Sequence, residues 1–168
     1  KIKKVILTGL LNKKIFSKNI LSCNGVLVKK DIFNKFKFSE NRDLSGSEDW
    51  HLWLRLSNHY KIISYKEVTS YILDNNDRSM KTQSYEQVFK RINYLLDFIN
   101  KKFKQEISYI NLCKIKCELY SFLAMTSCDY KNKKFITFKY LIFSFFFNPI
   151  TFFSRRSIRV YYKLLLLW

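Results

Sequence analysis

The stretch Ser47-Glu48-Asp49-Trp50-His51-Leu52-Trp53-Leu54-Arg55-Leu56 decides how the rest of the chain is read. Two adjacent carboxylates open it, and two tryptophans and three leucines follow within seven residues. Ser47 has the chemistry of an N-cap, since a hydroxyl accepts an orphan N–H of a helix's first turn. Glu48 and Asp49 then fall where the helix dipole favours negative charge. Trp50, Trp53 and Leu54 share one face, and Leu52 and Leu56 widen it. A helix this apolar is expected to be buried on most sides and to end near Asn58. Taken alone, the acidic pair is a plain helix start.

The pair stands out because acid is scarce. The 168 residues hold 31 Lys and Arg against 13 Asp and Glu, a net charge of +18. That balance points to anionic partners: phosphates, nucleic acid or an anionic membrane face. Heavy use of Lys, Asn, Ile and Phe halves the weight of this argument, because a coding bias produces the same excess. The length allows one ordinary domain, or one small domain with an appendage, and 48% apolar residues sustain a core. Cys23, Cys113, Cys117 and Cys128 form no Cys-x-x-Cys pair and have no histidine beside them. They read as buried thiols of a reducing cytosol. The first residue is Lys1, as expected of a fragment with further motifs upstream.

Ahead of the opening stretch, Ile2, Val5, Ile6 and Leu7 fit a strand or a short helix equally well. Residues 20–28, Ile-Leu-Ser-Cys-Asn-Gly-Val-Leu-Val, read as a short buried strand with a close backbone approach at Gly25. Asp31-Ile32-Phe33 starts a short helix with Ile32, Phe33 and Phe36 on its apolar side, and residues 37–46 form a polar loop. After the opening stretch, Lys61 to Ser64 and Glu67 to Leu73 alternate as two short strands, and Asp74-Asn75-Asn76-Asp77 closes them in a turn.

The character changes after residue 80. Ser84 and Gln87 form a capping box. Val88, Ile92, Leu95, Ile99 and Phe103 continue as a helical stripe. A second helix spans about Ile107 to Cys128. A third runs from near Lys133 to just before Pro149, and a fourth covers Ser157 to Trp168. Tyr140 to Ser154 is uncharged and holds six phenylalanines, with Lys131, Lys133, Lys134 and Lys139 before it and Arg155, Arg156 and Arg159 after it. It is too short to span a bilayer and is broken at Asn148-Pro149. Basic residues around an aromatic run describe a segment lying in a membrane interface; packing on its own domain is the plainer alternative.

In this order, the features resemble the C-terminal half of family-2 glycosyltransferases of the GT-A type. The Glu48-Asp49-x-x-Leu52-Trp53-Leu54-Arg55-Leu56 run carries most of the resemblance. The strand ending in Lys29-Lys30, the paired strands ending in Thr69-Ser70-Tyr71 and the turn at Asp77-Arg78-Ser79 carry the rest. The likeness covers roughly residues 12–80. It implies an α/β fold (α+β for the fragment as it stands): residues 1–80 would be the C-terminal part of a GT-A-like domain and residues 81–168 a helical, basic-aromatic tail. It also implies inverting transfer of a sugar from a nucleotide-diphosphate donor to a glycan or lipid-linked acceptor, in surface polysaccharide assembly. Asp49 would be the catalytic base and Glu48 would orient the loop or the acceptor. Trp50 would offer an aromatic face, Arg78 would meet a donor phosphate, and Asn24 would join the substrate-binding residues. The whole enzyme would need a divalent metal, magnesium or manganese.

The chain also departs from the family's pattern. No Asp-x-Asp occurs, the nucleotide-binding first half has no counterpart, and a histidine expected after the paired strands is replaced by Asp74 or Asp77. The main metal ligands are thus absent, and this chain alone is not expected to bind donor in the usual way. His51 and His59 read as surface or helix-end residues, and Arg55 as a partner for an acid or a helix end. The expected location is peripheral, on the cytoplasmic face of the cell membrane. The competing readings are a non-catalytic basic helical module for anionic membrane or nucleic acid, and an inactive truncated transferase. Nucleic acid is the weaker partner, because the cations are spread along the chain and no nucleic-acid-binding signature appears.

Overall fold

In a computed structural model the described residues are 9–64 and 83–166. The chain divides into two compact units, Lys1–Gln83 and Ser84–Trp168.

The expectation of an α/β fold is overturned. Helix makes up 72% of the structure and strand 2%. Among the described residues the only sheet is an antiparallel pair, β1 (Gly9–Leu10) with β2 (Ile63–Ser64). In the first unit the helices are α1 (Asn12–Ile15), α2 (Lys30–Lys35) and α3 (Glu48–His59). The expected buried strand over residues 20–28 is instead a single 3-10 turn, Cys23–Gly25, with extended flanks. Leu27 is 98% exposed. Strand preference in such residues reflects burial against paired neighbours, and no described strand pairs with this run. Of the two alternating segments, the first shrinks to β2. The strand at residues 67–73, the turn after it and the segment at residues 2–7 lie outside the described residues.

The core of this unit forms around α3. Leu52, Leu54 and Leu56 are buried with Trp50 and Trp53, as are Leu11, Ile15 and Phe16 around α1. Asn12 ties the two helices together: its Nδ2 donates to the carbonyls of Ser57 and Tyr60, each at 2.6 Å, and its Oδ1 accepts from Ile62 N at 2.9 Å. One side chain thereby closes the end of α3 and the start of β2.

The second unit is helical throughout its described residues: α4 (Tyr85–Phe98), α5 (Tyr109–Ser127), α6 (Lys134–Phe147) and α7 (Arg155–Leu166). The Ser84–Gln87 capping box forms in full at the start of α4. The stripe of Val88, Ile92, Leu95, Ile99 and Phe103 is buried, its end held in a π-helical turn over Ile99–Phe103. α5 and α6 form a hairpin in which Tyr120 packs against the rings of Tyr140, Phe143 and Phe147, and small polar groups line another part of the seam. Thr137 Oγ1 donates to Ser127 Oγ at 2.9 Å, and Ser144 Oγ donates to the Cys117 carbonyl at 3.3 Å. Small side chains let two helices approach closely while each hydroxyl finds a partner. Ala124, Cys128, Leu141 and Val160 complete a core against α7. No helix among the described residues is long and apolar enough to cross a membrane. All four cysteines are free; Cys117 and Cys128 are buried as expected, whereas Cys113 is half-buried and Cys23 exposed.

Candidate functional site

The start of α3 is shaped by Gly46, whose φ of 87° lies in the left-handed region that a Cβ disfavours. That turn brings the Gly46 N–H onto Glu48 Oε2, so the carboxylate satisfies a backbone donor ahead of the helix. Ser47 is the first flanking residue, yet its side chain makes no capping bond. Glu48 does not replace Ser47 as a cap, because Gly46 precedes the helix; in the first turn the Trp50 N–H is met by Asp49 Oδ1.

Asp49 faces the chain that follows α1. Its Oδ1 accepts from Asn19 Nδ2 at 3.1 Å and from Trp50 N at 2.6 Å. Burial pushes its carboxyl above the ordinary aspartate value; the bonds from Trp50 N–H and Asn19 pull the other way, and the charge of Glu48 adds to the rise. The result is a half-buried carboxylate with raised proton affinity, fixed in direction by a neutral amide. Those are the attributes of a general base. Partial burial also pushes the Cys23 thiol up, with the charges of Asp49 and then Glu48 adding to it. The Cys23–Gly25 turn therefore lies within electrostatic reach of the acidic pair, and exposed Asn24 is carried on the same turn.

A cavity of about 330 Å³ opens beside this turn, lined by Cys23, Val26, Val28, Lys30, Phe33, Phe38 and Trp53. Trp53 stands one helical turn beyond Asp49 on the same side of α3. Its ring meets Phe38 edge-on with centroids 6.1 Å apart. Its Nε1 is buried with no hydrogen-bond partner among the described residues. The cavity lining combines aromatic and apolar side chains with one cation, Lys30.

The other expected site residues fall elsewhere. Trp50 is 4% exposed and donates from Nε1 to the Ile15 carbonyl at 2.9 Å, so it joins α3 to α1 and presents no free face. Arg78 lies outside the described residues. Arg55 donates to the Lys37 carbonyl at 3.1 Å and lies over the Phe36 ring. His59 is exposed at the helix end, whereas His51 is buried, against its expected surface position. Sequence reasoning does not single out Asn19 or Trp53 as site residues. One polar Asn in an Asn-rich chain gives no local signal, and Trp53 reads as core by its spacing alone.

Among the described residues no group of three or more His, Cys, Asp or Glu is placed to hold a metal ion. Glu48 is engaged by Gly46 N, and Asp49 by Asn19 and Trp50 N. These residues do not fit the expected divalent metal. Protein-family models, curated proteins and solved structures were each compared with the chain, and none matches it.

Proposed function

We propose that the first unit carries the acceptor side of a sugar-transfer site, with Asp49 as the general base. The observation that carries this reading is the half-buried Asp49 carboxylate, oriented by Asn19 and raised in proton affinity by burial. In the reaction, Asp49 takes the proton of an acceptor hydroxyl. The oxygen forms its bond to the anomeric carbon of a nucleotide-diphosphate sugar, on the face opposite the leaving group. The bond from that carbon to the diphosphate oxygen breaks, and the nucleoside diphosphate leaves with the electron pair. The cavity beside the Cys23–Gly25 turn supports the reading: Trp53 and Phe38 give aromatic surface for a sugar ring or an apolar aglycone, and Lys30 gives a cation for an anionic substituent. Glu48 holds the preceding turn through Gly46.

The finer location belongs to the same reading: the chain works as a peripheral protein on the inner face of the cell membrane, where a lipid-linked acceptor is presented. The second unit, with its basic and aromatic helices, supports it.

The test is transfer by the chain from a panel of uridine- and guanosine-diphosphate sugars to simple glycosides, followed by released nucleoside diphosphate. Asp49→Asn should lower turnover by about 100- to 10,000-fold, the range removed with a general base. The chain alone is not expected to bind donor in the usual way, so the overturning results are the absence of any saturable binding of these glycosides to the chain, read by tryptophan fluorescence, or turnover unchanged in Asp49→Asn.

A further inference from the structure

We infer that the outward face of α6 and the turn after it form the surface by which this chain lies on an anionic phospholipid bilayer. The inference rests on the proposed peripheral location and assigns the contact to named residues. Thr137, Leu141 and Ser144 point inward and are buried. Phe135, Phe138, Ile142 and Phe146 recur on the opposite side at helical spacing and are exposed, Phe146 by 78%. The stripe continues onto the 3-10 turn Pro149–Phe153 with Ile150 and Phe153, the latter 79% exposed. α6 has 14 residues, so the helix is about 21 Å long. That length suits a helix lying along an interface, and the bend at Asn148-Pro149 follows it.

Charge selects the occupant. From Tyr130 to Trp168 the sequence holds eight Lys and Arg and no Asp or Glu. Lys139 is exposed on α6 near the stripe, and Arg155 and Arg159 are exposed just after it. A bilayer with anionic headgroups takes apolar rings below its surface and cations at it. A second copy of the chain would bring an equal positive field against this one. A nucleic acid would match the cations and leave the aliphatic and phenyl groups in water.

Flotation of the full chain with vesicles tests the inference. Vesicles of phosphatidylglycerol and phosphatidylcholine should carry the protein up a density gradient, and vesicles of phosphatidylcholine alone should carry far less. Phe135→Ser with Phe146→Ser should weaken binding at least about tenfold. Arg155→Gln with Arg159→Gln should weaken it about 30-fold, and added salt should do the same. Both double variants should keep the helical circular dichroism of the parent. If binding survives the phenylalanine pair, the peripheral location stands and this surface assignment fails. If the parent does not float with anionic vesicles, both fail. Self-association or RNA binding abolished by the same substitutions, without vesicle binding, gives the face to a second copy or to nucleic acid and overturns the inference. Asp49→Asn should leave flotation unchanged, so loss of transfer and loss of docking are separable.

Discussion

The guanidinium of Arg156 meets the carboxylate of Glu118 in a two-pronged contact, Nη1 to Oε2 at 2.9 Å and Nη2 to Oε1 at 3.0 Å. Nη1 also donates to Ser121 Oγ, and the group lies over the Phe122 ring. The pair is more than three-quarters buried and joins α7 to α5. Glu118→Gln should destabilise the helical unit by about 1–3 kcal/mol, the cost of a lost charged hydrogen bond. Arg156→Lys should fall in the same range, because an ammonium keeps the charge and loses the fork. Urea unfolding followed by circular dichroism reads both; two unchanged midpoints would mean the pair is ornamental.

Asp49 makes stability depend on pH in a defined direction. Burial raises its folded value above the unfolded one, so the folded chain holds the proton more tightly. Its contribution is present below the unfolded value and lost as pH rises through the folded one. Asn removes that loss and keeps an oxygen to accept from Asn19 and Trp50 N. Asp49→Asn should therefore raise the melting temperature at neutral pH, with the difference vanishing by about pH 3, below the ordinary carboxylate range. A difference that grows towards acid pH would contradict the burial argument.

Trp50 is placed as a packing residue, and that placement is measurable. Trp50→Phe keeps a ring in the core but leaves the Ile15 carbonyl without its donor. The expected loss is about 1–3 kcal/mol, the cost of a buried group left unpaired. Guanidinium unfolding of the variant checks it.

Two serines that look alike in sequence should behave differently. Ser84→Ala removes a formed capping box and should cost about 1 kcal/mol. Ser47→Ala removes no capping bond and should cost under half of that by the same scale. Gly46→Ala should cost about 1–2 kcal/mol, because a Cβ is disfavoured at its φ of 87°. Thermal melts of the three variants would rank them.

The helices are legible in the sequence because their signals are local. The apolar stripe from Val88 to Phe103 and the Ser84–Gln87 box need only neighbours three or four residues away. The Val26-Leu27-Val28 run is not legible, since a strand needs a partner that only the fold can bring, and here Leu27 meets water. Asp49 is a candidate base in the sequence only through the family resemblance of the run it opens; taken alone the acidic pair is a helix start. Its orienting amide is not legible, because Asn19 reaches it across 30 residues and only through the packing of α1 on α3. Trp50 reads as a ligand face and is in fact a strut for the same reason: its partner, Ile15, is distant in sequence.

The seam between α5 and α6 has a consequence for how the chain can change over time. Ser127, Thr137 and Ser144 line one part of the hairpin seam, and Leu141 with the rings of Tyr140, Phe143 and Phe147 against Tyr120 supplies its apolar area. The exposed rings of α6 at Phe135, Phe138 and Phe146 add little to that seam. One helix holds two independent alphabets: an inner one that tolerates little alteration, and an outer one free to drift in size and hydrophobicity while the hairpin persists. Variation that leaves the hairpin folded is therefore open to the outer alphabet and closed to the inner one, and any limit on the outer residues comes from what that face meets.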